Sequence, residues 1–208
     1  MSARIFAISF ITLLIWTQSL HSACPTNLVE VAPDICMLVI RSKGSFCEAH
    51  KLCETEGQTR GMQLFVPGRN AQLIPAIVPP SSIVFTGISA FLNRSLNNRE
   101  GWRYADPGSS SDDIDASDTS IPWNHGEPND IYGSIAPFYS LNLQDGLQLN
   151  YQSTHVVCQM SHDQVNAPME IFKQNWPYPI SPLLFAHSHA IGCFTFTNES
   201  TMVACSLR

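Results

Sequence analysis

The 208-residue sequence predicts a chain mixing one well-marked helix with several short strands, on three observations. Ser45 and Glu48 form an S-x-x-E capping box, the local signature of a helix start. Apolar and β-branched runs such as IVFTGI (83–88) and HVVCQ (155–159) have strand length and strand composition. Between them, residues 105–137 carry Gly, Pro, Ser and Asp without a sustained period, and so long an irregular stretch in a compact domain is usually functional or disordered.

The elements follow in order. Cys24 and Cys36 flank PTNLVEVAPDI, whose Pro and Asp suit a turn between two short strands, and a disulfide across that hairpin is the simplest pairing. The helix begins after Ser45. Phe46, Ala49, His50 and Cys53 recur at the spacing of one buried stripe, and Gly57 offers a stop after Glu56. Cys47 lies roughly 120° around the axis from Cys53 and about 9 Å away, so the two cannot bridge each other. A shorter helix starts near Asn70 and breaks at Pro75, since proline removes a helical donor. Residues 83–88, 101–104, 139–143 and 155–159 read as strands. Beyond Met160, four prolines mark an irregular connector. CFTFTNESTMVAC (193–205) then alternates like a hairpin that a Cys193–Cys205 bond would close.

Composition narrows the function. The chain holds 11 Lys and Arg against 17 Asp and Glu, with 44% hydrophobic and 13% charged residues, which excludes a disordered tail. Without a basic run there is no footprint for nucleic acid, whose binding depends on cations neutralising phosphates. Residues 1–23 combine Arg4, an apolar run at 5–16 and small or polar residues after it, the pattern of a secretory signal peptide. That run is too short for a membrane span, which needs about 20 apolar residues. A secreted, extracellular protein is expected, and its seven cysteines are then read as a disulfide framework rather than zinc ligands. Asn93 and Asn198 head glycosylation sequons. No nucleophile elbow, zinc-protease helix, phosphate loop or dinucleotide fingerprint is present, so catalysis has no motif behind it.

Taken together, SFCEAHKLCETEG, MQLFVPGRNAQL, IVFTGI, EGWRYADPG, WNHGEPND and HVVCQ, in that order, resemble the C-type lectin-like domain over residues 24–160. The resemblance implies an α+β fold with two helices, short antiparallel strands, a long ligand-bearing loop and adjacent domain ends. The expected organisation is signal peptide 1–23, lectin-like domain 24–160 and a hairpin-bearing extension 161–208. It pairs Cys53 with Cys158, matches Cys24 and Cys36 to the N-terminal pair of the long form, and sets Phe46 where tryptophan is frequent. Cys47 is left with three open states: a buried thiol, an intermolecular link making a dimer, or a partner to the tail.

The resemblance also implies a ligand site. Glu127, Pro128 and Asn129 match the tripeptide with which mannose-type members hold calcium and sugar together, with Pro128 in the cis form. The chemistry agrees, because a carboxylate and an amide carbonyl are hard oxygen donors suited to calcium. The family's Trp-Asn-Asp triad falls on Gln148, Leu149 and Asn150, so Asn150 is the only donor it retains. A further acidic ligand expected in IYGSIAPF is missing, as are two loop cysteines, and calcium is expected to bind weakly or not at all. Asp112, Asp113, Asp115 and Asp118 do not follow an EF-hand register, and His187 with His189 lacks a third ligand. The expected function is recognition of a glycan by a non-enzymatic secreted lectin. The alternative is a scaffold whose long loop binds an extracellular protein.

Overall fold

A computed structural model describes residues 24–91, 97–107, 117 and 119–162. The expected signal peptide at 1–23, Asn93, the four loop aspartates, His187, His189, Asn198 and the hairpin expected between Cys193 and Cys205 lie outside the described residues. The fold is α+β, as expected. Strand β1 (Val29–Ala32) turns into the ten-residue β2 (Ile35–Gly44), followed by helix α1 (Phe46–Arg60) and β3 (Leu64–Phe65). A 3-10 helix (Ala71–Ala76) precedes β4 (Ile83–Ser89), β5 (Arg103–Tyr104), β6 (Ile135–Tyr139), β7 (Asn142–Leu143) and β8 (Ser153–Met160). Two four-stranded sheets result, ordered β1-β2-β8-β3 and β5-β4-β6-β7. Because β2 pairs antiparallel with β8, the two ends of the domain lie side by side.

Helix α1 starts as its sequence requires. The Ser45 hydroxyl accepts from the Glu48 N–H at 3.3 Å, and the Glu48 carboxylate accepts from the Ser45 N–H at 2.7 Å. It ends later than Gly57 suggests. Gly57 is buried inside the helix, where a Cβ would stand 2.7 Å from Met62 O and 2.9 Å from the Leu64 N. Its small size therefore serves the close passage of the returning chain, and the stop is Gly61 at φ 64°, with the Met62 N–H closing onto Gly57 O at 3.0 Å. Pro75 sits inside the 3-10 helix rather than ending an α-helix, so one α-helix and one 3-10 helix replace the two helices expected. The single strand read at 139–143 is two, because Ser140 and Leu141 turn at φ 49° and 68°.

Two disulfides close the frame. Cys24 pairs with Cys36 across the first hairpin, and Cys53 on α1 pairs with Cys158 on β8. Cys47 is also disulfide-bonded, which excludes the free thiol, and its partner lies outside the described residues. Gln148 Nε2 lies 3.3 Å from the Cys47 sulfur. Phe46, Ala49 and Cys53 bury one face of α1 against Leu38, Val156 and Phe85, and the Phe46 ring meets Phe85 and Phe91 edge-on. A second cluster centres on Trp102, Ile88, Val84 and Phe138.

His50 completes the stripe at some cost. Its Nε2 is buried without a hydrogen-bond partner among the described residues, and its ring lies 4.6 Å from that of Phe46. Burial disfavours the imidazolium and pushes its pKa down to about 4. As pH falls below about 6.5, the unfolded chain takes up a proton that the folded chain refuses. Stability is therefore expected to fall between pH 6.5 and about 4 by about 2–3 kcal/mol more in the wild type than in a His50→Leu variant, measured as urea midpoints at pH 7 and 4.5. Equal acid sensitivity in the two proteins would contradict this assignment.

Candidate functional site

The long connection between β5 and β6 is anchored in the core just before the tripeptide. Ile121 is buried, and the Trp123 ring packs against Trp102 at 4.7 Å. Trp102 is held in turn by its Nε1, which donates to Asn98 O at 2.8 Å. The tripeptide at 127–129 thus hangs from a tryptophan pair seated in the core.

The Glu127–Pro128 peptide bond is cis, as the resemblance implies. The carbonyls of both residues are held from one side, Glu127 O accepting from Arg99 Nη2 at 2.9 Å and Pro128 O from the Asn98 amide. Asn129 Nδ2 donates to Glu127 Oε1 at 2.9 Å, so the two side chains flanking the proline meet.

A residue that sequence reasoning missed completes the cluster. Asp145, 6% exposed and just beyond β7, accepts from the Asn129 N–H at 2.9 Å with Oδ1 and from the Asp130 N–H at 3.0 Å with Oδ2. Gly133 makes room for it, since a Cβ there would stand 2.2 Å from Asp145 Oδ2. Burial, and then the neighbouring Asp145 carboxylate, raise the Glu127 pKa to about 7. Two acidic groups therefore share one small volume with the Asn129 amide between them.

Asn150, the donor expected from the sequence, has a different setting. It is exposed, and its N–H closes a turn onto Leu147 O at 3.1 Å. Leu149 is exposed and Gln148 is buried, pointing at Cys47. Counting back from Cys158 leads to 148–150, whereas the aspartate beside the tripeptide belongs to LQD, at the end of β7. The available signal was the Asp-Gly pair at 145–146, placed where a strand leaves the sheet.

The residues suit a calcium ion in part. Glu127, Asn129 and Asp145 supply hard oxygen donors and two negative charges, and each Asp145 oxygen keeps a lone pair beyond the backbone bond it accepts. Three side chains fall short of the six to eight oxygens calcium takes, so water and ligand hydroxyls would complete the shell. No group of three or more His, Cys, Asp or Glu side chains with metal-site geometry occurs among the described residues.

No protein-family model matches the chain, and no curated protein matches it. Solved structures similar to it include the C-type lectin CEL-I from Cucumaria echinata, 14% identical, covering 67% of this chain and 99% of that one at a TM-score of 0.47. The carbohydrate-recognition domain of the mouse scavenger receptor C-type lectin is 17% identical, covering 68% of this chain and all of its own, at 0.46. The C-type lectin domain of murine dendritic cell inhibitory receptor 2, in complex with N-glycan, is 21% identical, covering 66% and 98%, at 0.46. The chain's own features carry the assignment: the Cys53–Cys158 and Cys24–Cys36 pairs, the helix between β2 and β3, the adjoining ends and the long loop. The fold is C-type lectin-like.

Proposed function

We propose that the protein is a secreted recognition lectin that binds a glycan through vicinal hydroxyls at Glu127, Asn129 and Asp145, with calcium held weakly at the same point. It acts by binding and not by catalysis. One observation carries the reading: the Glu127 carboxyl, the Asn129 amide and the Asp145 carboxyl converge on the cis peptide of the long loop. Burial and the neighbouring Asp145 carboxyl raise the cost of ionising Glu127, and a divalent cation offsets that cost. Glu127 and Asn129 then offer one acceptor and one donor-acceptor to a pair of sugar hydroxyls. Disulfides within the lectin-like domain fit an oxidising, extracellular setting, and among the described residues no helix is long and apolar enough to cross a membrane.

The alternative, a scaffold that binds an extracellular protein, draws on a different observation. Ile131 and Tyr132, directly after the tripeptide, are 52% and 56% exposed. An apolar pair at a loop tip suits a protein surface better than a sugar hydroxyl.

Calorimetric titration with calcium separates the two, run on the wild type beside Glu127→Ala. Binding of roughly millimolar affinity, the class of extracellular calcium modules, is expected in the wild type and absent from the variant. Mannose added in calcium should then give heat that chelation removes. No calcium heat, or heat equal in both proteins, would defeat the lectin reading and favour the protein-binding scaffold.

A further inference from the structure

At the other end of β4 from the tripeptide lies a cleft of about 600 Å³, bounded by the end of β2, the start of β8 and the turn before β4. The pairing of β2 with β8 slips there, from Arg41 opposite His155 to Gly44 opposite Ser153. Arg41 and Lys43, two residues apart on β2, both line the cleft, as do Ser42, Ser81, Thr154 and His155. Ser153 fixes the slipped segment, its hydroxyl lying 3.1 Å from Ser42 O and 3.2 Å from Gly44 O.

The charge of this cleft is unusual for an acidic chain. Lys51 and Arg60 are paired with Glu54 and Glu56 on α1, and Arg69 lies over the Tyr104 ring. Arg41 and Lys43, both exposed, form no ion pair with any described acidic side chain, and among the described residues no carboxylate lines the cleft. His155 is held in place from behind. Its Nδ1 lies 3.0 Å from the hydroxyl of buried Ser82 and 3.1 Å from that of Thr154, which in turn accepts from the Ile83 N–H at 2.9 Å. These contacts engage Nδ1 and leave Nε2 as the remaining nitrogen of a ring that lines the cleft. A guanidinium fork, an ammonium, an imidazole and three hydroxyls thus border a space large enough for a small saccharide. Donors spread over two strands and a turn suit a group with three outward oxygens better than a flat carboxylate.

We propose that this cleft is a second binding site, independent of calcium, for a sulfated sugar unit of an acidic extracellular polysaccharide. It is separate from the tripeptide site. Ile83 marks the cleft end of β4, whereas Ser89 at its other end pairs with Ile135, the residue bridged to Gly146 beside Asp145. Six residues of strand set the two about 20 Å apart. One sugar cannot reach both sites, but a polysaccharide chain can.

The test is binding of a heparin-derived tetrasaccharide to the purified chain in EDTA, read by calorimetry. Wild type and Glu127→Ala should bind alike, and Arg41→Ser/Lys43→Ser should bind roughly tenfold or more weakly, with a matching near-UV spectrum showing that the fold persists. The same tetrasaccharide without its sulfates should bind the wild type roughly tenfold more weakly or not at all. No wild-type binding in EDTA, equal binding by the double variant, equal binding of the desulfated sugar, or loss in Glu127→Ala would each overturn the proposal. Because chelation and Glu127→Ala remove only the tripeptide site, failure there and failure at the cleft remain distinguishable.

Discussion

Asp145→Ala is expected to abolish calcium-dependent ligand binding, a loss of roughly 100-fold or more that takes a millimolar site below detection. One carboxylate does two jobs here. Its oxygens take the N–H groups of Asn129 and Asp130, which fixes the loop directly after the cis proline. Its charge is also half of the negative charge available to a cation beside Glu127. A hydrogen bond to a charged group contributes about 1.5–3 kcal/mol, and its removal leaves N–H groups unsatisfied. The alanine variant should therefore lose a few kcal/mol of stability, on the order of 3, as well as binding. Asp145→Asn separates the jobs. It keeps one strong acceptor and the volume against Gly133, so its melting temperature should stay nearer the wild type while calcium heat is lost. An Asp145→Ala protein that still binds sugar in calcium would show that the ligand sits elsewhere on the loop.

How much of this was legible in the sequence follows from the range of each interaction. The start of α1 was legible because the capping box is made within four residues, Ser45 to Glu48 and back. Its end was not. Gly57 and Gly61 look alike in sequence, and only the close passage of Met62 and Leu64 assigns one to packing and the other to the left-handed turn. Strand β4 was legible as a run buried on both faces, but the break between β6 and β7 rests on Ser140 and Leu141 at positive φ, and a leucine there gives no sign of a left-handed turn. At the site, Glu127 and Asn129 were found through a local motif. Asp145 sits 16 residues from the backbone it clamps, beyond the reach of a local motif. The Arg41–Lys43 cleft was beyond sequence reading altogether, because the register slip on β2 and the turn before β4 meet only in three dimensions.

The second large effect concerns the frame that carries both sites. Replacing Cys53 and Cys158 together by alanine releases a link between residues 105 apart in sequence. In the chain-entropy model, a loop of that length is worth roughly 4 to 5 kcal/mol, because the crosslink mainly restricts the unfolded chain. Both sulfurs lie in a fully buried cluster with Phe46, Ala49, Leu64 and Val156, so the double alanine also leaves a small void between α1 and β8. The Cys24–Cys36 link spans only 12 residues, and its loss should cost less, about 3 kcal/mol in the same model. Melting of the Cys53→Ala/Cys158→Ala protein is therefore expected at least about 10 °C below the wild type, and below Cys24→Ala/Cys36→Ala by several degrees. The reverse order would mean that the first hairpin, rather than the link from α1 to β8, limits unfolding. The same comparison bears on function: β8 carries Thr154 and His155 and pairs with β2, which carries Arg41 and Lys43. Sulfated-sugar binding should weaken with the loss of the α1–β8 link, while calcium binding, held by the Asp145 clamp on the second sheet's side of the molecule, should survive wherever the protein remains folded.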